Sequence, residues 1–310
     1  MEDLKIAVVG VGATGAVLAA SLLSENPETV CVDPKPGVGE SLAKNGITIT
    51  GEISYNVPVR HFLTRTRDLK DRNPDVIFLS TKTFHLQQVL DDLAEVFKPG
   101  MKIISTQNGL GTEDVIADRF GVDSAFRMSL NYGVASKGPG HVAAAFFNKP
   151  NYLGCLSDEN RQIGLRIAQM LTDGGLDTAF VDDIKLYVWR KMILKCSLSA
   201  ICAVTDRGIK EVFDFPPTRE ILDACFRESV AVAKASGCDL GDDAIEKAMA
   251  YMAAMGSHKD SMCQDIANKR PTEIDFLGGK VVEYGRAFGV PTPFFVALTN
   301  LVKSIEDSYL

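Results

Sequence analysis

The segment from Tyr187 to Cys202 holds the residues best suited to chemistry. It is almost wholly apolar, yet Lys191, Lys195 and Ser199 interrupt it at positions i, i+4 and i+8. This spacing predicts a helix that is buried around most of its circumference and carries one polar stripe. Because two ammonium groups one turn apart repel each other, the stripe is explained if it faces a cleft that holds an anion. The alternative is a solvated polar face on a half-exposed helix.

A lysine in such a cleft suits the reduction of a ketone. Hydride addition to a carbonyl carbon leaves an alkoxide, whose oxygen needs a polarising donor and then a proton. An ammonium group supplies both. An unperturbed lysine is protonated at neutral pH, since its pKa is about 10.4. The stripe therefore indicates a lysine acid that acts on a small anionic substrate.

A glycine-rich turn near the start of the chain predicts a second site. The spacing G-x-G-x-x-G follows a strand-like apolar run and opens a helix-like segment. In this pattern the first glycine allows a tight turn, the second lets the backbone approach a pyrophosphate, and the third lets helix and strand pack closely. The helix N-terminus offers free N–H groups to the phosphates. The pattern predicts a dinucleotide site formed by Gly10, Gly12, Ala13, Thr14 and Gly15, the alternative being a merely structural turn.

The sequence leaves the choice between NAD and NADP open. Asp33 ends the second predicted strand, where a carboxylate usually accepts from the ribose 2′-hydroxyl and favours NAD. Lys35 lies two residues on, across Pro34, and is placed to meet a 2′-phosphate instead. Asp33 is also explained as the first polar residue after a strand.

Strand-like and helix-like segments alternate through the first half of the chain. Short apolar runs predict buried parallel strands at residues 4–9, 30–32, 75–79 and 102–106. Helices are expected at 13–23 and 84–97, and three β-like stretches follow one another between 124 and 156. Repeated βα units of this kind predict an α/β fold with a Rossmann-type, doubly wound parallel sheet.

The second half is expected to be helical. After one more helix and strand, helical spacing recurs near residues 184–204, 217–236, 241–255, 272–288 and 293–308. We place the boundary near Asp182-Asp183. The expected organisation is a dinucleotide-binding Rossmann domain over residues 1–182 and an all-helical substrate-binding domain over residues 183–310.

Composition narrows the class of protein. A length of 310 residues exceeds one ordinary core, which favours two domains. A net charge of −7 without a basic block argues against nucleic acid or a membrane as partner. The acidic start Met1-Glu2-Asp3 predicts no signal peptide. Seven cysteines without Cys-x-x-Cys spacing indicate reduced thiols in the cytoplasm, and four scattered histidines predict no metal site.

Five motifs in order resemble the ketopantoate reductase family. They span nearly the whole chain: the Gly10–Gly15 turn, Ser80-Thr81-Lys82-Thr83, Gln107-Asn108-Gly109-Leu110-Gly111, Trp189-Arg190-Lys191, and Ser261-Met262-Cys263-Gln264-Asp265 followed by Thr272-Glu273-Ile274-Asp275. The resemblance implies NADPH-dependent reduction of 2-dehydropantoate (ketopantoate) to pantoate in pantothenate synthesis. It also favours NADP over NAD, with Lys35 and Lys82 as phosphate contacts, although Asp33 keeps NAD possible.

The same resemblance implies roles for individual residues. Lys191 would give the proton to the alkoxide, and Glu273 would orient both Lys191 and the nicotinamide end of the cofactor. Asn108 would contact cofactor and substrate, and Ser261 would hold the substrate's carboxylate. The backbone of Gly133-Val134 would border the nicotinamide. Taken alone, Asn108-Gly109 is an ordinary turn and Glu273 an acid at a helix N-terminus.

The chain departs from the family where the substrate is expected to bind. The family usually has asparagines at i+4 and i+8 after the catalytic lysine, where this chain has Lys195 and Ser199. A further family asparagine falls near Ile209, whose side chain cannot form a hydrogen bond. Lys195 and Ser199 are therefore expected to contact a substrate that differs from the family's, and a cationic Lys195 would suit a second carboxylate.

The sequence leaves three alternatives open. One is a reductase of the same architecture that acts on another keto acid, including a 3-hydroxyacid or glycerol-3-phosphate type of dehydrogenase. A second is a non-catalytic NADP-binding sensor, since a fold does not guarantee activity. The third concerns assembly, because the C-terminal helices are compatible with a homodimer interface as well as with an internal core.

Overall fold

The computed structural model describes residues 4–253 and 256–310. Contacts divide the chain into two compact units. The first unit comprises Met1–Gln107 and Thr112–Ile184, and the second comprises Asn108–Gly111 and Lys185–Leu310. Of the predicted features, the start of the chain at residues 1–3 and the end of the predicted helix 241–255 lie outside the described residues.

An eight-stranded sheet forms the centre of the first unit. Its strands are β1 (Ile6–Val9), β2 (Val30–Val32), β5 (His61–Leu63), β6 (Val76–Leu79), β7 (Lys102–Ser105), β8 (Ala125–Ser129), β11 (Asn151–Cys155) and β12 (Thr178–Phe180). Their spatial order is β12-β11-β8-β7-β6-β1-β2-β5. From β5 to β8 neighbouring strands are parallel, and only β11 pairs antiparallel with β8. Strands such as β1 and β6 are continuous apolar runs because a parallel sheet is covered on both faces, so that side chains on either side of the strand are buried.

Helices follow the strands of this sheet. They are α1 (Ala13–Glu25), α2 (Val38–Asn45), α3 (Leu86–Leu93), α4 (Thr112–Phe120) and α5 (Arg161–Asp173). Helix α1 consists of small and apolar residues and is buried from Gly15 to Leu23. The Rossmann-type α/β class expected from the sequence is confirmed.

A second, four-stranded sheet was not expected. It has the order β4-β3-β10-β9, with β3 (Ile47–Gly51), β4 (Tyr55–Val57), β9 (Tyr132–Gly138) and β10 (His141–Phe147). The region 124–156 therefore contains four strands rather than three, because the first stretch breaks between Ser129 and Tyr132. Strands β3 to β5 were not predicted because they are short and partly exposed, whereas the equally short β2 is a fully buried apolar run.

The second unit is helical in its regular elements. Its helices are α6 (Ile184–Thr205, of which Ile184 belongs to the first unit), α7 (Ile209–Asp214), α8 (Pro216–Ala235), α9 (Ala244–Ala253), α10 (Ser261–Ala267), α11 (Gly278–Phe288) and α12 (Pro293–Asp307). Helices α7 and α10 were not predicted, since six or seven residues show no clear period. No helix within the described ranges is long and apolar enough to cross a membrane.

The start of α12 is held by a carboxylate from α8. Backbone N–H groups of Phe294 and Phe295 donate to the two oxygens of Glu228, at 2.9 and 3.1 Å. Burial raises the pKa of Glu228, and the two backbone donors oppose that rise only in part. This contact satisfies N–H groups that a helix N-terminus leaves without intrahelical partners.

A buried ion pair lies beneath the start of α4 in the first unit. Arg127 on β8 and Glu113 on α4 have side chains that are 2% and 3% exposed, and Arg127 Nε lies 3.6 Å from Glu113 Oε2. Arg127 also donates to the Ser105 and Thr112 hydroxyls, at 2.8 and 2.6 Å. Thr112 is the residue at which the chain re-enters the first unit after Asn108–Gly111, and its hydroxyl accepts from Arg127 of this pair.

Removing one member of this pair should destabilise the first unit strongly. Arg127→Met leaves the Glu113 carboxylate buried without its cation, which costs about 3–5 kcal/mol. We expect a lower unfolding temperature in calorimetry. The double variant Arg127→Met/Glu113→Leu should recover most of the loss, because an apolar pair of similar volume often replaces a buried ion pair without cost. An Arg127→Met protein as stable as the wild type would contradict this account.

Candidate active site

The glycine turn has the geometry that its spacing predicts. Gly10 has φ of +91°, and a Cβ there would lie 2.7 Å from Thr81 N. A Cβ on Gly15 would overlap the Gly10 carbonyl oxygen, so the helix packs against the turn itself. Gly12 differs, because a Cβ added there would have no heavy atom of the described residues within 4 Å. Two glycines are thus required by the fold, and the third borders open space.

The N-terminus of α1 opens onto that space. Gly12 is the N-cap residue and provides no side-chain cap for the first N–H groups of the helix, which begins at Ala13. Thr14 uses its carbonyl oxygen to accept from the buried Tyr132 hydroxyl at 3.0 Å. The first turn of a helix that is left uncapped in this way suits the pyrophosphate of a dinucleotide.

The Asp33 carboxylate is fixed at the end of β2. Its Oδ2 accepts from Val11 N at 2.9 Å, and its Oδ1 accepts from Lys35 N at 3.0 Å. Both contacts come from backbone N–H groups, so the side chain has one defined orientation beside the glycine turn. Each oxygen keeps a lone pair for a further donor, such as a ribose hydroxyl.

A groove of about 710 Å³ lies beside Asp33 in the first unit. Its lining includes the glycine turn and six charged residues: Asp33, Lys35, Arg65, Arg67, Lys82 and Asp92. Arg65 pairs with Asp68 through two hydrogen bonds, at 3.0 and 2.9 Å, and Arg67 donates to Asp92 at 2.7 Å. The groove therefore offers room, a helix N-terminus and polar contacts for the ribose and phosphate groups of a dinucleotide.

Strand β9 carries the other residues expected near the nicotinamide. Gly133 lies against the ring of Phe146, and the side chain of Val134 packs on the hydrophobic core of the first unit. Gln107 was not predicted as a functional residue, yet its amide donates to Thr81 O and Thr81 Oγ1 at 3.0 and 3.1 Å. This contact ties the end of β7 to the segment that carries Lys82.

Lys191 and Asn108 meet within the second unit. Lys191 on α6 donates from Nζ to Asn108 Oδ1 at 2.9 Å, although the two residues are 83 positions apart. Gly109 lies against Phe276, where a Cβ would be 2.8 Å from the Phe276 Cβ, and Leu110 N donates to Phe276 O at 2.8 Å. The turn that carries Asn108 is therefore held in place by backbone contacts.

Glu273 lies at the start of the short 3-10 helix Ile274–Phe276, as its N-cap residue. Because Phe276 ends that helix and contacts Gly109 and Leu110, the Glu273 segment and the Asn108 turn are neighbours. This placement is compatible with both interpretations of Glu273: an acid at a helix N-terminus, and a residue that orients Lys191.

Lys195 lies one turn further along α6 and has a carboxylate partner. Its Nζ donates to Asp260 Oδ2 at 2.6 Å and to Ser261 Oγ at 2.8 Å. The side chain of Asp260 is 7% exposed and that of Lys195 is 21% exposed. An ion pair thus stands where the sequence led us to expect a free cation. Asp260 was missed, although an aspartate just before a helix is a recognised N-cap signal.

Ser199 and Ile209 are both buried. Ser199 has no exposed surface, and its hydroxyl oxygen has no hydrogen bond of standard geometry among the described residues, although it lies near enough to Asp260 to help lower that pKa. Ile209 is 2% exposed and begins α7. Ser199 therefore lies on the side of α6 that faces Asp260 but without access to solvent, because helical spacing predicts the side of a helix and not the depth of burial.

The two parts of the chain match the two sequence models of one family. The model described as ketopantoate reductase PanE/ApbA matches residues 6–158, and its C-terminal counterpart matches residues 183–306. The chain belongs to the ketopantoate reductase family.

Individual relatives and solved structures are similar to this chain over almost its full length. The 2-dehydropantoate 2-reductase of Streptococcus pyogenes serotype M1 is 26% identical over 303 residues, covering 96% of this chain and 97% of that protein. A solved structure of D-mandelate dehydrogenase with NADH and anilino(oxo)acetate has a TM-score of 0.88 and 25% identity, covering 99% of each chain. The 2-dehydropantoate 2-reductase from Geobacter metallireducens GS-15 shares the fold, with a TM-score of 0.87, 23% identity and coverage of 97% and 99%.

Gly12→Val should weaken cofactor binding without destabilising the fold. The new side chain would occupy the open space at the N-terminus of α1, which a pyrophosphate needs. We expect the Kd for the reduced dinucleotide to rise at least about tenfold, as measured by cofactor fluorescence, with an unchanged unfolding temperature. Gly15→Ala is the matched control, since its Cβ overlaps Gly10 O and should lower the unfolding temperature instead. An unchanged Kd in Gly12→Val would rule out this site.

Proposed function

We propose that this chain reduces a 2-keto acid to the 2-hydroxy acid with a reduced nicotinamide cofactor. The observation that carries the proposal is the Lys191 ammonium, which stands on the largely apolar helix α6 and donates to the Asn108 amide oxygen at 2.9 Å. A fixed ammonium is the donor that a ketone oxygen needs as negative charge develops on it. Family membership and the glycine turn of the first unit support the same chemistry.

Lys191 acts as the acid in this proposal. When bound, the nicotinamide cofactor supplies the hydride that adds to the carbonyl carbon. Lys191 polarises the carbonyl oxygen, transfers a proton to it as the alkoxide forms, and regains a proton from water. Asn108 keeps the ammonium oriented, and its contact uses one of the three N–H bonds. Ser261 binds the carboxylate of the substrate, and Glu273 helps to orient Lys191.

The first substrate we propose is 2-dehydropantoate, whose reduction to pantoate belongs to pantothenate synthesis. It is supported by relatives named for that reaction, which align with nearly the whole chain at 26% and 25% sequence identity. A second candidate is a 2-keto acid with an aromatic substituent, as in the D-mandelate dehydrogenase complex with anilino(oxo)acetate. The observation that favours it is that Lys195, Ser199 and Ile209 stand where the family usually has asparagines, which bind its hydroxylated substrate.

The electron donor we propose is NADH. The Asp33 carboxylate, fixed by Val11 N and Lys35 N, suits the ribose hydroxyls of NADH and repels a 2′-phosphate. Arg65 and Arg67, which would otherwise attract that phosphate, already pair with Asp68 and Asp92. The similarity to an enzyme solved with NADH supports this choice, in place of the NADPH that the family resemblance implied.

Lys191→Ala should lower kcat by at least about a hundredfold, the usual scale for a lost acid catalyst, with little change in the Kd for NADH. Lys191→Arg should be almost as slow, because a guanidinium keeps the charge but does not release its proton. The assay follows oxidation of the reduced cofactor with 2-dehydropantoate and with phenylglyoxylate, using the better substrate. Lys210→Ala, an exposed lysine on α7, should behave as the wild type. A near-normal kcat in Lys191→Ala would exclude Lys191 as the acid.

Asp33→Asn should shift the cofactor preference toward NADPH. Removing the negative charge ends the repulsion of the 2′-phosphate and weakens the contact with the ribose hydroxyls. We expect the ratio of kcat/KM for NADH over NADPH to fall at least about tenfold. Asp71→Asn removes the same charge from an exposed position outside the groove and should leave the ratio unchanged. A wild-type preference for NADPH would overturn the assignment of NADH.

A further inference from the structure

We propose that Asp260 determines substrate charge: by neutralising Lys195 it restricts the keto-acid site to substrates with a single carboxylate. This inference rests on the proposed function, because it deepens the description of the same site. It also replaces the sequence-based hypothesis that Lys195 is available to a second carboxylate.

The position of Lys195 makes its charge decisive. Residues four apart on a helix have Cβ atoms about 5–6 Å from each other, so Lys195 lies within a small molecule's length of Lys191. A free ammonium there would attract the distal carboxylate of a dicarboxylic keto acid. In the structure that ammonium donates to Asp260 Oδ2 at 2.6 Å, a short charge-assisted contact.

Asp260 is held in place independently of Lys195. It is the N-cap residue of α10, and its Oδ1 accepts from Met262 N at 2.9 Å while its Oδ2 accepts from Lys195. The backbone carbonyl of Asp260 also accepts from Gln264 N at 3.2 Å. The carboxylate is therefore positioned by the start of the helix and cannot turn away to release the lysine without losing its cap contact.

The charge of Asp260 offsets that of Lys195. Burial by itself would raise the pKa of Asp260, but the charge and the hydrogen bond of Lys195, with further donors, outweigh burial and lower that pKa. An incoming second carboxylate would meet an ionised aspartate as well as the lysine. If it displaced Asp260 from Lys195, it would leave a buried anion without its partner.

The pair also orients Ser261 toward a single carboxylate. Lys195 donates to Ser261 Oγ at 2.8 Å, so the serine hydroxyl acts as an acceptor in that contact and keeps its own O–H for another acceptor. Ser261 is exposed, whereas Asp260 beside it is buried. Lys195 thus acts on the substrate through Ser261, as a positioning residue.

The test compares two unreactive keto-acid analogues of similar size. N-oxalylglycine has a second carboxylate, and N-isobutyloxamate has a branched alkyl group in its place. Affinities are measured by calorimetry on the full-length protein saturated with NADH, for the wild type and for Asp260→Asn. Asparagine is as good an N-cap as aspartate, so α10 is expected to remain folded, and the unfolding temperature checks this.

We expect the wild type to bind N-isobutyloxamate more tightly than N-oxalylglycine. In Asp260→Asn the ratio of the two affinities should move toward N-oxalylglycine by at least about tenfold, since the ammonium of Lys195 is unmasked. The double variant Lys195→Gln/Asp260→Asn, which has neither charge, should return to the wild-type ratio. Asp265→Asn is the matched control, because Asp265 is a buried aspartate on the same helix that pairs with Arg270, and it should leave the ratio unchanged.

Three results would overturn the inference: an unchanged ratio in folded Asp260→Asn, a wild-type preference for N-oxalylglycine, or no binding of either analogue to the wild type. Failure of the proposed function looks different. In that case the analogues bind with the expected ratios, but no 2-keto acid supports oxidation of NADH or NADPH.

Discussion

The structure of the second unit depends on one constraint: helix α6 carries Lys191 and Lys195 one turn apart in a largely buried stretch. Charges in such a position need oxygen acceptors, because burying an unpaired ammonium is costly. Lys191 reaches the amide oxygen of Asn108, and Lys195 reaches the carboxylate of Asp260. Each acceptor comes from a distant part of the sequence, so it must be positioned by the turn or short helix that carries it.

Backbone contacts hold each of the two acceptors in place. The Asn108 turn is fixed by the close approach of Gly109 to Phe276 and by the hydrogen bond from Leu110 N. Asp260 is fixed as the N-cap of α10. The first unit works differently, since its candidate cofactor contacts come mainly from backbone geometry: the open space at Gly12, the uncapped start of α1, and an Asp33 carboxylate oriented by two N–H groups.

The sequence predicted those parts whose signals are local. The glycine turn, the apolar strand β1 and the long helices α6, α8 and α12 follow from spacing over a few residues. The four-stranded sheet was missed because its pairings join distant segments, as Thr48 pairs with His141, and because β3 and β4 are short and partly exposed. The Lys195–Asp260 pair was missed for the same reason, since 65 residues separate its members and α10 has only seven residues. Ser199 shows what spacing leaves open, because helical spacing gives the side of a helix but not the depth of burial, and this residue has no exposed surface.

Because Asp260 is more deeply buried than Lys195, the order in which these two residues are replaced during evolution matters for stability. Replacing Lys195 first, for example with the asparagine usual in the family, would leave the Asp260 carboxylate, which is only 7% exposed, without its cation. Replacing Asp260 first with a neutral capping residue leaves a lysine that is 21% exposed and keeps some access to water. Lineages that move between the two pocket types are therefore expected to change position 260 before position 195. The reverse order leaves a buried carboxylate without its cation, which costs stability, so the residue at position 260 limits the order in which these two positions can change.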